Sequence, residues 1–168
     1  ARDLPLRVYV TAGWRPGANG QPVATFWTVG EVVDRIPGAD LDAVLLNGDG
    51  EIVSSARGRI VPGTTSAMVQ VAADTPVPPG DYTMRVKSQT PTGSETMSMP
   101  VRLSASQASG AVFIRRGPMT GNKEMPTADL RFRRNEQVRV EIPTSVSSPV
   151  TARLLDRTGK PLAVPVTS

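Results

Sequence analysis

The feature that most constrains this chain of 168 residues is an internal repeat. Residues 23–53 recur, with different amino acids on the same frame, at residues 129–162. The spacing of the two copies, near 106 residues, is the size of one small β-domain. Self-similarity at a fixed period is typical of modular chains, so the sequence predicts tandem modules rather than one large domain.

Two segments carry the repeat. FWTVGEV at 26–32 aligns with FRRNEQV at 132–138 at an offset of 106, and 42–51 aligns with 151–160 at an offset of 109. The three-residue difference is predicted to lie in the Pro-, Thr- and Ser-containing stretch at 143–148, because a loop tolerates an insertion there.

The local pattern predicts strands, since no segment longer than a turn has a helical period and Gly and Pro punctuate short β-branched runs. The predicted strands of the first module are 4–11, 23–34, 41–47, 51–60, 66–73, 80–89 and 95–103. The predicted fold class is all-β, with an immunoglobulin-like β-sandwich at 1–104 and a second, incomplete β-sandwich module at 111–168. A small, polar linker at 104–110 joins the two modules.

Buried positions of the first module are predicted from the alternation of strand residues and from the phase of the repeat. They are Val8, Phe26, Val32, Val44, Leu46, Val69, Val71, Tyr82, Met84 and Val86. Tyr82 follows Pro-Pro-Gly-Asp at the start of its strand, which predicts a tyrosine corner, where the phenol bonds to the backbone just upstream.

The second module has predicted strands at 111–116, 129–142, 150–156 and 161–166, and nothing in it corresponds to residues 66–103. A half sandwich leaves one apolar face and one strand edge uncovered. The residues predicted on that face are Val112, Ile114, Phe132, Val138, Val140 and Leu154. We therefore expect the second module to be ordered by the first module, by a second copy or by further strands, with the open sheet edge as a route to an oligomer.

Composition narrows the chemistry. The chain has no Cys and no His, which excludes disulfides, thiolate zinc sites, nucleophilic cysteine and every catalytic triad with a histidine base. Net charge is −1 over residues 1–111 and +5 over residues 112–168, a modest asymmetry that favours a solvated basic face over nucleic-acid binding. No apolar run reaches the 18 or more residues of a membrane span. Because the chain starts at Ala1 without Met or a signal peptide, we expect a processed product or a cut segment.

The acidic group Asp40, Asp42, Asn47, Asp49 and Glu51 is the best metal candidate, because the alternating side chains of Asn47-Gly48-Asp49-Gly50-Glu51 are typical of calcium loops. The terminal Glu and the flanking helices of an EF-hand are missing. The aligned segment 156–160 keeps the glycine and replaces Glu51 by Lys160, so a hairpin turn explains both copies and a calcium site explains one. We interpret the segment as a turn and predict no metal or cofactor.

No catalytic residues are predicted. The acid pairs Asp34/Asp40 and Asp74/Asp81 lie beside Pro or Gly in loop-like contexts, which favours turn chemistry over glycoside hydrolysis. There is no Gly-x-Ser-x-Gly elbow, and the Gly-to-Lys segment 117–123 lacks the spacing of a P-loop. The sequence therefore favours a non-enzymatic role.

Four residues are candidates for a ligand or partner surface: Trp14, Trp27, Arg131 and Arg133. Trp27 aligns with Arg133, which indicates a position pointing away from the core of its own module. It could anchor a glycan or a protein, but packing under a loop or against the neighbouring module is favoured, since large aromatic side chains seldom stay exposed. Arg131 and Arg133 share an outward face and could bind an anion, although two solvated arginines are the ordinary expectation.

Four phrases resemble the C-terminal region of von Willebrand factor A-related proteins of Acidobacteria: LPLRVYV at 4–10, PGDYTMRV at 79–86, RRGPMTGN at 115–122 and ADLRFRRNEQVRVEIP at 128–143. The resemblance implies β-sandwich repeats of an exported protein, in the periplasm, on the cell surface or secreted. The Asp-x-Ser-x-Ser adhesion motif of the A domain is absent, so its metal-dependent binding is not implied.

The predicted function is that of a non-catalytic β-sandwich segment of an exported bacterial protein, acting as a spacer and interaction scaffold. The alternative is an adhesion module that binds a glycan or a protein through exposed tryptophan and loops. A second rival, an enzyme without His or Cys, would need a cleft with two carboxylates of raised or coupled pKa. The expected partners are a protein, including a second copy or other domains of the parent chain, or a glycan.

Overall fold

The computed structural model describes residues 6–32, 38–73, 75–105, 110–142 and 153–162. The fold is all-β. Its strands are β1 (Leu6–Pro16), β2 (Pro22–Val32), β3 (Ala39–Leu46), β4 (Ile52–Ile60), β5 (Ser66–Ala72), β6 (Gly80–Thr90), β7 (Gly93–Leu103), β8 (Val112–Arg116), β9 (Met125–Pro126) and β10 (Gln137–Glu141). A 3-10 turn, Pro118–Thr120, follows β8.

The first seven strands form two antiparallel sheets that face each other. One sheet has the order β1-β2-β5 and the other has the order β4-β3-β6-β7. Both the seven strands and the sandwich class are as the sequence predicts. Tyr82 forms the predicted tyrosine corner, because its hydroxyl donates to the carbonyl oxygen of Pro78 and its ring lies edge-on to Phe26 at 5.3 Å.

The core lies between the two sheets, and the predicted core is correct except on β3. Val44 and Leu46 are only half-buried, whereas Leu41, Ala43 and Leu45 point into the core. The prediction of this phase was wrong because residues 43–46 are apolar on both alternations, so the pattern does not choose between them. Opposite Leu41, Gly30 of β2 has no side chain, and a Cβ atom there would lie 3.0 Å from a Leu41 methyl group.

The remaining strands form a small sheet of order β10-β8-β9. The predicted strand at 129–142 was too long, since only Gln137–Glu141 is a strand and residues 134–135 form a turn. Residues 153–162 form a hairpin with one bridge, Leu155 to Pro161. The predicted strand segments 150–152 and 163–166, the linker residues 106–109 and the loop at 143–148 lie outside the described residues.

The two strand pairs that open the modules have the same antiparallel arrangement but not the aligned register. Val8 pairs with Gly30, and Ile114 pairs with Arg139, so the first strand repeats after 106 residues and the second after 109. Phe132 therefore precedes β10, while Phe26 lies inside β2. The pairing places the three-residue difference between β8 and β10, upstream of the predicted position at 143–148.

Candidate functional site

Residues that follow position 109 cover part of the outer face of the β1-β2-β5 sheet, the face turned away from the sandwich core. Trp27 and Val29 project from this face and form an apolar cluster with Val112 of β8, and Tyr9 and Ala128 pack around it. Trp27 is 5% exposed and Val29 is fully buried. We call this contact region the junction, and it is an apolar cluster separate from the sandwich core.

Two hydrogen bonds to the backbone of residues 110 and 111 hold the junction close to β1. The Tyr9 hydroxyl donates to the carbonyl oxygen of Ala111 at 2.5 Å, and the amide of Gly110 donates to the carbonyl oxygen of Ala12 at 2.9 Å. At Gly110 a Cβ atom would lie 1.5 Å from the Thr11 hydroxyl oxygen, so only glycine allows this approach. The backbone of Gly110 and Ala111 therefore contacts the middle of β1 directly.

Arg115 is the buried cation of the junction. Its Nη2 donates to the carbonyl oxygens of Asp129 and Arg131, each at 2.8 Å, and its guanidinium carbon lies 5.0 Å from the centre of the Phe132 ring. Its Nε lies 2.9 Å from Oε2 of Glu136, as a contact of opposite charges that lacks the alignment of a hydrogen bond. The Glu136 side chain is 1% exposed and that of Arg115 is 9% exposed.

Glu136 also shapes the turn before β10. Its Oε1 accepts the amide of Arg133 at 2.7 Å, and its own amide donates to the carbonyl oxygen of Arg133 at 3.1 Å. Arg115 and Glu136 together thus fix the course of residues 129–136. Removing either one would leave a buried charge without its counterion, which is costly.

Two further carboxylates lie at the rim, and their environments push their pKa values apart. Burial raises the pKa of Glu31, and the nearby cations Arg115 and Arg7 oppose that rise. Hydrogen bonds from the Arg131 side chain lower the pKa of Asp129 from 3.8 to about 2. Asp129 is held by Arg131 at 3.0 and 3.2 Å and by Arg7 at 3.0 Å.

These groups surround a cavity of about 490 Å³ between the sandwich and the small sheet. Its charged lining consists of Arg7, Glu31, Arg115, Asp129, Arg131, Arg133 and Glu136. A general acid or base working near neutral pH needs a pKa tuned toward that range. The pKa of Asp129 moves away from it, and the rise in the pKa of Glu31 is opposed by Arg115 and Arg7. Around the cavity, Arg115 lies against Glu136, and Arg7 and Arg131 both pair with Asp129.

The structure separates the four predicted surface residues. Trp27 lies in the junction, the position favoured by the sequence, and so lacks the exposed face that an anchor requires. Trp14 is half-buried against the sandwich core, and its indole N–H donates to the carbonyl oxygen of Ser104 at 3.0 Å. Arg131 and Arg133 are exposed at the rim of the cavity, where Arg131 forms an ion pair with Asp129.

The acidic segment at 47–51 is a hairpin turn. Oδ1 of Asn47 accepts the amides of Asp49 and Glu51 at 3.0 and 2.9 Å, and Gly50 has a φ of 80°. The amide oxygen of Asn47 is thereby engaged with the backbone of the turn. Among the described residues, no group of three or more His, Cys, Asp or Glu side chains could hold a metal ion.

The charged residues around the junction were missed by the sequence reasoning: Arg7, Glu31, Arg115, Asp129 and Glu136. One signal was present, because Arg115 ends the apolar run Val-Phe-Ile and a charge in such a run needs a counterion. No spacing rule, however, pairs Arg7 with a residue 122 positions away. Recognising these contacts requires the docking of the two parts of the chain.

Searches against known proteins found no family profile, no curated protein and no solved structure that matches this chain. Within the described residues, no helix is long and apolar enough to cross a membrane.

Proposed function

We propose that this chain is a non-catalytic spacer: a β-sandwich segment of an exported bacterial protein, of the von Willebrand factor A-related kind, whose two parts are held at a fixed angle. A spacer keeps the structures on either side of it at a set distance. It therefore needs a junction that does not bend, in contrast to a flexible Gly/Ser linker.

The burial of Trp27 and Val29 against Val112 is the observation that carries the proposal. Large apolar contacts between parts of a chain oppose relative motion, whereas small polar contacts allow it. Around this cluster, Arg115 ties the segment 129–136 together and Arg7 reaches Asp129 from β1. The exported location and the bacterial source rest on the sequence resemblance alone.

The alternative, adhesion to a glycan through exposed tryptophan, lacks support from the geometry. Glycan platforms present an aromatic face to solvent. Trp27 is enclosed in the junction, and Trp14 packs on the sandwich core.

The rigidity of the junction can be tested by measuring distances between spin labels. The chain has no native cysteine, so Thr92→Cys and Arg134→Cys, both at exposed positions, supply two unique labelling sites. We expect a narrow distance distribution in the otherwise unchanged chain. In Trp27→Ala we expect a broad one, while the melting transition of the sandwich persists.

Met68→Ala is the matched control. Met68 pairs with Val29 across β2 and β5 and so lies on the same outer sheet face, but it is exposed. Its replacement should leave the distribution narrow. A broad distribution in the unsubstituted chain would show a flexible tether and would overturn the spacer proposal.

A further inference from the structure

Strand β10 is exposed on both faces and lies at the edge of its sheet. In the order β10-β8-β9, only one of its edges is paired among the described residues. Val138 and Val140 are 41% and 47% exposed, and Ile142, directly after the strand, is 48% exposed. An edge strand with apolar side chains is a template for pairing with another strand.

The residues of β10 alternate in a way that is complementary to itself. Val138, Val140 and Ile142 share one face of the strand, and Arg139 and Glu141 share the other. The two charged groups already attract one another, with Nη1 of Arg139 lying 2.8 Å from Oε1 of Glu141. If two copies of the strand run antiparallel about Val140, each Arg139 opposes Glu141 of the other copy, and Val138 opposes Ile142.

Other registers lack this complementarity. Centring the pair on Arg139 places two arginines opposite one another, and centring it on Glu141 places two glutamates opposite one another. Like charges in directly opposed positions destabilise a strand pair. A shift by a single residue sets a valine against a charged side chain. The register centred on Val140 is therefore the best that β10 offers to its own copy.

We propose that the chain self-associates through β10, with the β10 strands of two copies antiparallel and centred on Val140. Two three-stranded sheets then join into one six-stranded sheet about a two-fold axis. The sandwich contains a similar pairing. Strand β2 lies beside the first strand of its sheet, as β10 lies beside β8, and the other edge of β2 pairs antiparallel with β5. The proposal is independent of the spacer role, which holds for one copy or for two.

The test uses charge reversal in the full chain, followed by sedimentation equilibrium. A five-residue edge buries less than the ~1,200 Å² of a standard interface, so the measurement should extend to about 1 mM chain. The unsubstituted chain should form dimers. Arg139→Glu alone and Glu141→Arg alone should each raise the dissociation constant by about tenfold or more, since each variant sets like charges opposite one another.

Mixing the two single variants gives the decisive measurement. In a mixed pair, one β10 strand carries two glutamates and the other carries two arginines, so opposite charges face each other at both positions. The mixture should therefore associate as well as the unsubstituted chain, and the double variant R139E/E141R should also associate. Arg102→Glu is the matched control, because it reverses an arginine in an exposed ion pair on β7, with Asp81, and should leave the association unchanged.

Circular dichroism of each variant checks that the fold persists, as expected for exposed ion pairs of small energetic weight. A chain that stays monomeric to the highest concentration would overturn the proposal. So would a dimer that is insensitive to both reversals, or two repelling variants that fail to associate when mixed. None of these results would bear on the rigidity of the junction, which the spin-label distances report separately.

Discussion

Strands β2 and β10 stand beside the first strand of their respective sheets, yet their surroundings differ completely. In β2, the seven successive residues 24–30 are all buried, because the four-stranded sheet covers one face and the junction covers the other. In β10, all five residues are exposed. Burial in this chain is therefore set by what packs on a strand, and the sequence of each strand is adapted to its surroundings.

The adaptation is visible in the charges. The buried run of β2 carries no charged residue, and the first one after it, Glu31, has its pKa raised by burial. Strand β10 alternates valine with Arg139 and Glu141, which solvent tolerates. Charges on an edge strand also limit indiscriminate pairing, and they leave one register favoured.

The largest expected effect concerns the two regions as independent units. Deleting residues 1–104 should leave a fragment that is unfolded or aggregated, because among the described residues the small sheet has no opposing sheet of its own and the deletion removes the cover of Trp27 and Val29. Circular dichroism and light scattering report the result. A monomeric fragment with a cooperative thermal transition would mean that 111–168 is a domain in its own right.

A smaller but large effect is expected for single core substitutions. Phe26→Ala should lower the free energy of unfolding by about 3–5 kcal/mol, because the side chain is fully buried and packs on Tyr82. Val140→Ala, its counterpart on β10, should cost less than about 1 kcal/mol in dilute solution. Denaturant titrations measure both, and similar losses for the two variants would contradict the difference described between the strands.

The two regions also differ in how much of their structure could be predicted from the sequence. The seven strands of the sandwich, the Asn-Gly turn and the Tyr82 corner were predicted correctly, because each depends on local alternation or turn chemistry. The segment 129–136 was predicted as strand because it alternates around Phe132. Its actual course is set by Arg115 and Glu136, which are 21 residues apart in sequence and meet only on folding.

The burial of Trp27 shows the same limit from another side. Its alignment with Arg133 indicated a residue turned away from its own core, which is where the structure places it. Whether such a position is exposed or buried depends on the packing of the residues after position 109 against it. No pattern within residues 22–32 predicts that packing.

An intermediate effect is expected at the rim of the junction when the pH is lowered. The pKa of Asp129 is lowered to about 2 in the folded state from an ordinary 3.8, so its contribution to stability is present above about pH 4 and is lost as the pH falls toward 2. Asp129→Asn should flatten this acid limb in a plot of melting temperature against pH. Asp81→Asn, in the exposed pair with Arg102, is the control and should change the plot little.

The pH dependence of stability expected from Glu31 has the opposite sign. Its raised pKa means that the folded chain binds this proton more tightly than the unfolded chain, so the associated stability is lost as the pH rises above the ordinary value of 4.5. Glu31→Gln should therefore melt at a higher temperature than the unsubstituted chain at pH 7, and the gap should close in acid. A lower melting temperature at pH 7 would show that the attraction of Glu31 to Arg115 and Arg7 outweighs the cost of burial.

The smallest effect is expected where the two regions are most alike. Oδ1 of Asp156 accepts hydrogen bonds from the amides two and four residues later. Oδ1 of Asn47, 109 residues earlier, accepts the equivalent two hydrogen bonds in its own turn. Glu51→Lys, which imitates Lys160, should change the free energy of unfolding by no more than about 0.5 kcal/mol. Calcium should shift the melting temperature of neither form, and a calcium-dependent rise abolished by the substitution would revive a cation site.

The contact of the junction with β1 has a mechanical consequence. Strand β1 is one edge of its sheet and β7 is one edge of the facing sheet, and the Trp14 indole joins the two strands through Ser104, which follows β7. A pull that arrives from residue 110 onward meets β1 through Ala12 as well as β7 through the chain itself. Part of the load therefore passes to the sheet that contains β1, so a pull from this end of the chain acts on both sheets and not on β7 alone.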